Sequence, residues 1–298
     1  LADSEAQLIS RLRGQLAEAG LSGSFLVRDL ADGREIGIDP DTAFPVASVV
    51  KVPVAVAVLG RIEAGLLDGA APIDVPPGRP DSIGQVGLSR FRHASRVAVD
   101  DLLYLSIAIS DNAATDALFD LMPLAEVTEY LRGVGISGIT VRHRMSETGT
   151  TPSDGLAQTL AIGARTAGLG HELPQLDLTR ANVGSARALV DLLEALWAPA
   201  GTASAIPAGV AARVRALMRG NMLRQRLGPD FSSDASTWSS KTGTLLNLRH
   251  EIGVVEHEDG APLAVAALTE SRVPAAAQPA AEALMGRVAR ALHDHLRG

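Results

Sequence analysis

The chain contains no cysteine. That excludes a disulfide framework and a thiolate metal site, and it suits an oxidising exterior. Aromatic residues make up 3% of the sequence. No basic stripe accompanies them, so nucleic acid is not an expected partner. The apolar run at 52–59 is far shorter than the ~20 residues that span a bilayer. Lysine is nearly absent: Lys51 and Lys241 stand against 25 arginines. Surface charge is therefore carried by arginine, and lysine is kept where something other than charge is wanted. Arginine stays protonated at any working pH, whereas a buried lysine loses its proton and serves as a base.

What is present describes a soluble globular protein. Hydrophobic residues make up 46% of 298 positions, the net charge is −7 and the pI about 5.5. That length buries a large core, as one domain or two subdomains. The chain begins at Leu1 rather than Met, which fits removal of a signal peptide.

Hydrophobic spacing marks the elements. A helix is expected over 3–19, with Leu8, Ile9, Leu12 and Leu16 on one stripe. Ser4 and Gln7 stand at capping-box spacing, and Gly20 is placed to end the helix. Runs 24–30 and 35–38 flank an Asp32-Gly33 turn and read as a β-hairpin. Residues 60–98, rich in Gly, Pro and Asp, read as loop with short helices. Helices are expected at 99–109, 113–121, 124–131, 179–197 and 210–219, with weak periodicity over 132–185. The C-terminal part reads as strands at 237–244, 250–256 and 262–269, the last two joined at Asp259-Gly260, and then a helix at 279–296. Strands at both ends with helices between them give an α+β arrangement. One antiparallel sheet is built from both termini, covered by the terminal helices, with an all-helical subdomain inserted. The sheet subdomain would take about 1–43 and 232–298, the helical one about 44–231.

The chemistry centres on Ser48-Val49-Val50-Lys51. Serine and lysine three apart on a helix share a face one turn apart, so the amine can accept the hydroxyl proton. The free N–H groups and dipole of a helix start favour negative charge there. Alone, the motif is weak. It is followed in order by Ser110-Asp111-Asn112 and Lys241-Thr242-Gly243, expected on helix, loop and strand respectively. The three together resemble the class A β-lactamase and penicillin-binding-protein superfamily of serine hydrolases, over nearly the whole length.

The resemblance implies a class A β-lactamase-like fold with a five-stranded antiparallel sheet. It also implies an acyl-enzyme on Ser48, most directly in β-lactam hydrolysis. A peptidase or esterase acting on cell-wall peptides is one alternative; a penicillin-binding sensor that acylates without turnover is another. Lys51, lowered in pKa by burial and by Lys241, would take the proton, and Ser110 would relay one to the leaving nitrogen. The backbone N–H groups of Ser48 and Thr244 would hold the oxyanion. Asn112 would bind the substrate's side-chain amide, and Lys241, Thr242 and Thr244 its carboxylate. Gly243 would let substrate lie against the strand edge. Arg226 and Arg249 are candidates for a second carboxylate anchor. The family's Ω-loop pentapeptide Glu-x-x-Leu-Asn is missing. Glu147 is the nearest replacement for its deacylating base, and 150–182 reads as an insertion. No cofactor or metal is expected. The partner would be a small β-lactam or related amide or ester, met by a monomer that is secreted or held in the periplasm or cell envelope.

Overall fold

Helix α1 (Glu5–Glu18) starts where the Ser4 hydroxyl accepts from Gln7 N and the Gln7 side chain returns to Ser4 N, a complete capping box. Gly20, at φ +70°, ends it, and Leu8, Leu12 and Leu16 are buried. In this computed structural model the described residues are 4–79, 85–147, 154–163, 170–199, 204–258, 260–272 and 278–298. Strand β1 (Leu21–Asp29) pairs antiparallel with β2 (Glu35–Ile38). The turn between them needs Gly33 at φ +75°. Asp29 and Asp32 accept from backbone N–H groups two residues on.

The middle of the chain holds β3 (Ala43–Pro45), a 3₁₀ turn (Ala47–Val50), α2 (Lys51–Glu63), β4 (Pro72–Val75), a 3₁₀ turn (Gly87–Arg90) and β5 (Ser95–Ala98). Then come α3 (Val99–Ala108), α4 (Asn112–Leu121), α5 (Leu124–Gly133) and α6 (Asp154–Gly163). They are followed by β6 (Val183–Ser185), α7 (Ala186–Trp197), α8 (Ala208–Arg219) and the single turn α9 (Gly228–Phe231). Strands β7 (Ser236–Leu245), β8 (Leu248–His257) and β9 (Leu263–Ser271) and helix α10 (Pro279–Arg297) complete the chain.

The large sheet runs β2-β1-β9-β8-β7, antiparallel throughout. Its alternation serves two cores. Phe25, Val27, Leu263, Val265 and Ala267 face α1 and α10. Leu26, Ile252, Val254, Ala264, Ala266 and Leu268 face the helical side. Both faces are covered, so β8 and β9 are buried along nearly their whole length. Edge strand β7 packs against the 3₁₀ turn that opens α2, and this puts a sheet edge beside Ser48.

The intervening region is not all helical, which corrects the expectation. Strands β4 and β5 pair with each other, and β3 pairs with β6. These strands are three or four residues long, too short for a period to register. Residues 179–185 are likewise not helix: the N-cap Ser185 begins α7, accepting from Ala188 N. The expected turn at Asp259 lies outside the described residues.

Candidate active site

Ser48 sits in the 3₁₀ turn, and Lys51 is the first residue of α2. Tertiary contacts hold that turn in place. Ala47 takes φ +47°, a left-handed conformation costing a non-glycine residue roughly 1–2 kcal/mol. Val46 N donates to Asn182 O at 2.8 Å. His250, wholly buried, accepts from Thr269 N at Nδ1 and so donates from Nε2 to Pro45 O at 2.9 Å. Burial pushes its pKa down to about 4, which keeps the ring neutral for this bond. A Cβ on Gly243 would lie 2.9 Å from Val46 O and 3.1 Å from Val49 Cγ2. The glycine therefore lets β7 close on the Ser48 turn. Its close neighbours are the backbone of Val46 and the side chain of Val49.

Lys51 is completely buried. Its Nζ donates to Ser110 O at 2.7 Å, to Ser110 Oγ at 3.1 Å and to Asn112 Oδ1 at 2.7 Å. These three bonds take up the donors of an ammonium, and none goes to Ser48. The direct Ser48–Lys51 link expected from helix spacing is replaced by a link from Lys51 to the Ser110 loop. Burial pushes the Lys51 pKa down to about 7, while Asp111 and Asp116 pull it back up. Lys241 is also buried. It donates to Ser110 Oγ at 3.0 Å and to Thr242 O at 2.8 Å. Its pKa is held well below the ordinary lysine value by burial, then by the charges of Lys51 and Arg226.

Ser110 Oγ thus lies between two lysine nitrogens. The residue adopts φ +62°, held by its neighbour. Asp111, wholly buried, caps α4 by accepting from Ala113 and Ala114 N, and it also accepts from Leu88 N, Ser89 N and Ser89 Oγ. That set of donors satisfies a carboxylate where water cannot reach.

The arginine candidates are 2% and 4% exposed. Arg226 donates to Gly243 O, His250 O and Thr244 Oγ1 and pairs with Glu282 at 2.9 Å. It braces the end of β7 from beneath and orients Thr244. Arg249 donates to Leu246 O and Leu248 O around the β7–β8 turn. Neither placement is that of an open carboxylate anchor. Glu147 is exposed; it accepts from Arg144 N and does not line the cavity beside Ser48. Ahead of it, Met145 N and Ser146 N are tied to Asp116.

The cavity beside Ser48 is lined by Pro45, Ala47, Asn112, His143, Met145, Gln175, Asn182, Thr244 and Leu245 as well. Its volume is about 40 Å³, far below the ~300–1,000 Å³ of ligand pockets. It has room for water. His143, Gln175 and Asn182 were not legible as site residues. Asn182 joins the site by accepting from Arg142 N and His143 N at its side chain while its own carbonyl holds Val46. The stretch 150–182, expected as an insertion, supplies both Gln175 and Asn182. Among the described residues, no group of three or more His, Cys, Asp and Glu could hold a metal.

Comparison with known proteins identifies the fold and the family. The β-lactamase regulatory protein BlaB of Streptomyces cacaoi is 59% identical over a 304-residue alignment covering 97% of each chain. A mutant of the last common ancestor of Gram-negative bacteria β-lactamase class A superposes with a TM-score of 0.76 at 20% identity, over 98% of this chain and 99% of that one. A mutant of PBP-A, solved as its acyl-enzyme complex with penicillin G, superposes with a TM-score of 0.75 at 19% identity, over 98% and 97%. The fold is that of the class A β-lactamases. A model of the Beta-lactamase enzyme family matches residues 7–296, and the chain belongs to that family.

Proposed function

We propose that this protein is a serine acyl-acceptor for β-lactams or closely related amides, which forms an ester on Ser48 and releases it slowly. It would act as a sensor rather than as a rapid hydrolase. The observation that carries this reading is that, among the described residues, no carboxylate lines the cavity beside Ser48. Hydrolysing the ester requires a water deprotonated in place, and a positioned general base contributes roughly 10²–10⁴-fold to such a step. The likeness to a protein named as a β-lactamase regulator supports the same reading.

In the acylation step Ser48 Oγ would attack the amide carbonyl carbon. The hydroxyl proton would pass to the Lys51–Ser110 pair, and the C–N bond would break with a proton delivered from Ser110 to the nitrogen. Asn112 and Thr244 would hold the ligand at the cavity mouth. Thr244 and Ser48 would supply the oxyanion N–H groups. The reading places a monomer outside the cytoplasmic membrane, where such compounds arrive. No described helix is long and apolar enough to cross a membrane.

A second reading, β-lactam hydrolysis, is favoured by Lys51 itself. With a pKa of about 7, it is a buried amine beside Ser110 able to serve as a base at neutral pH. Intact-protein mass spectrometry with benzylpenicillin over time separates the two. A persistent single adduct is the result expected; a transient adduct with product accumulation establishes the hydrolase. No adduct at all overturns both.

A further inference from the structure

Gln175 is 6% exposed and lines the same small cavity as Ser48. Its Nε2 is buried and has no hydrogen-bond partner. A buried amide nitrogen without a partner is costly, and here its residue lines a cavity with room for water. A water there needs only ~10–15 Å³ of such space and two to four polar partners, and the available volume is about 40 Å³. Ser48, Asn112, His143, Asn182 and Thr244 are the other polar side chains among the described residues of the wall.

We propose that Gln175 sets the lifetime of the Ser48 ester by holding the water beside it as a hydrogen-bond donor, where turnover would need an acceptor of that water's proton. The inference rests on the acyl-acceptor reading. Deacylation forms a bond from water oxygen to the ester carbon and breaks the bond to Ser48 Oγ. One proton goes to Ser48 Oγ and must first be taken from the water. An N–H pointed at the water engages its lone pair and takes no proton. A carboxylate at the same place accepts the proton and then returns it to Ser48 Oγ.

The test uses the whole chain and benzylpenicillin. Protein is acylated, excess drug removed, and the adduct on Ser48 followed by mass. In Gln175→Glu the adduct lifetime should fall at least tenfold, toward the ~10²-fold floor of general-base assistance. That lifetime should shorten as pH rises through the carboxylate range. Gln175→Met, which fills the space without donor or acceptor, should show no such pH profile, and thermal melts report whether each variant folds. An unchanged lifetime in folded Gln175→Glu, or an equal fall in both variants, overturns the assignment while leaving the acyl-acceptor reading in place. Should Gln175→Glu fail to fold, a Gln175→Met lifetime indistinguishable from wild type overturns it. A wild-type protein that never acquires the adduct overturns the acyl-acceptor reading, and this inference with it.

Discussion

Lys241 Nζ stands 3.0 Å from Ser110 Oγ, and that oxygen is also within 3.1 Å of Lys51 Nζ. Two buried amines thus converge on one hydroxyl. Both cannot remain charged there cheaply, because burial disfavours each charge and the two repel. Under the proposed function, that pressure favours proton transfer through Ser110.

Acylation should therefore depend on pH through Lys51. Its rate should rise as pH increases through about 7, where the amine becomes free to accept a proton. Lys51→Arg should abolish the rise and most of the rate, since guanidinium does not deprotonate. Stability should move the same way. Between about 7 and the ordinary lysine value of 10.5, the unfolded chain binds a proton at this side chain that the folded chain does not. Stability accordingly rises with pH across that window. Stopped-flow acylation and urea melts at graded pH check the two statements.

Asp111→Asn should shift that profile. Asp111 holds the Lys51 pKa up, so its neutralisation lowers the midpoint of the rate profile toward acid. Asn also caps helices well. It cannot accept from every Leu88, Ser89 and α4 donor that the carboxylate serves, and a loss of about 1–3 kcal/mol is expected. A midpoint that stays in place would mean that Lys51 does not govern the rate.

Gly243→Ala should damage both fold and reactivity. The new Cβ would sit 2.9 Å from Val46 O, so β7 and the Ser48 turn must separate. Overpacking of this kind typically costs about 1–3 kcal/mol. The acylation rate should fall further than stability does, because the displaced elements are those that carry Ser48 and Thr244. Thermal melting and mass-detected acylation, measured on the same sample, test the difference.

Glu147→Gln should leave the adduct lifetime within about twofold of wild type, as expected for an exposed side chain away from the site. Ser48→Ala should remove the adduct entirely while the melting curve is preserved. A long-lived adduct on Ser48→Ala would assign the nucleophile elsewhere.

The sequence by itself determined the elements whose causes are local. Ser4 and Gln7 cap α1, Asp32-Gly33 turns β1 into β2, and the apolar stripes of α1 and α10 mark the faces they bury. The three motifs also identified the family, and from that resemblance came the expectation for Ser48, Lys51, Ser110, Asn112 and Lys241. Tertiary structure alone decided which of these groups touch. Helix spacing pairs Lys51 with Ser48, yet the lysine is drawn to Ser110, because the loop held by Asp111 offers two oxygens there and Asn112 a third. Arg226 and Glu147 look alike in sequence, as charged side chains in polar stretches. One is buried beneath β7 and the other is exposed. His250, Gln175 and Asn182 carry no local signature, because their partners lie at distant positions in the chain. Whether a buried polar group serves the site depends on what the fold brings against it, and that is settled only when β7, the Ser48 turn and the 170–182 segment close together.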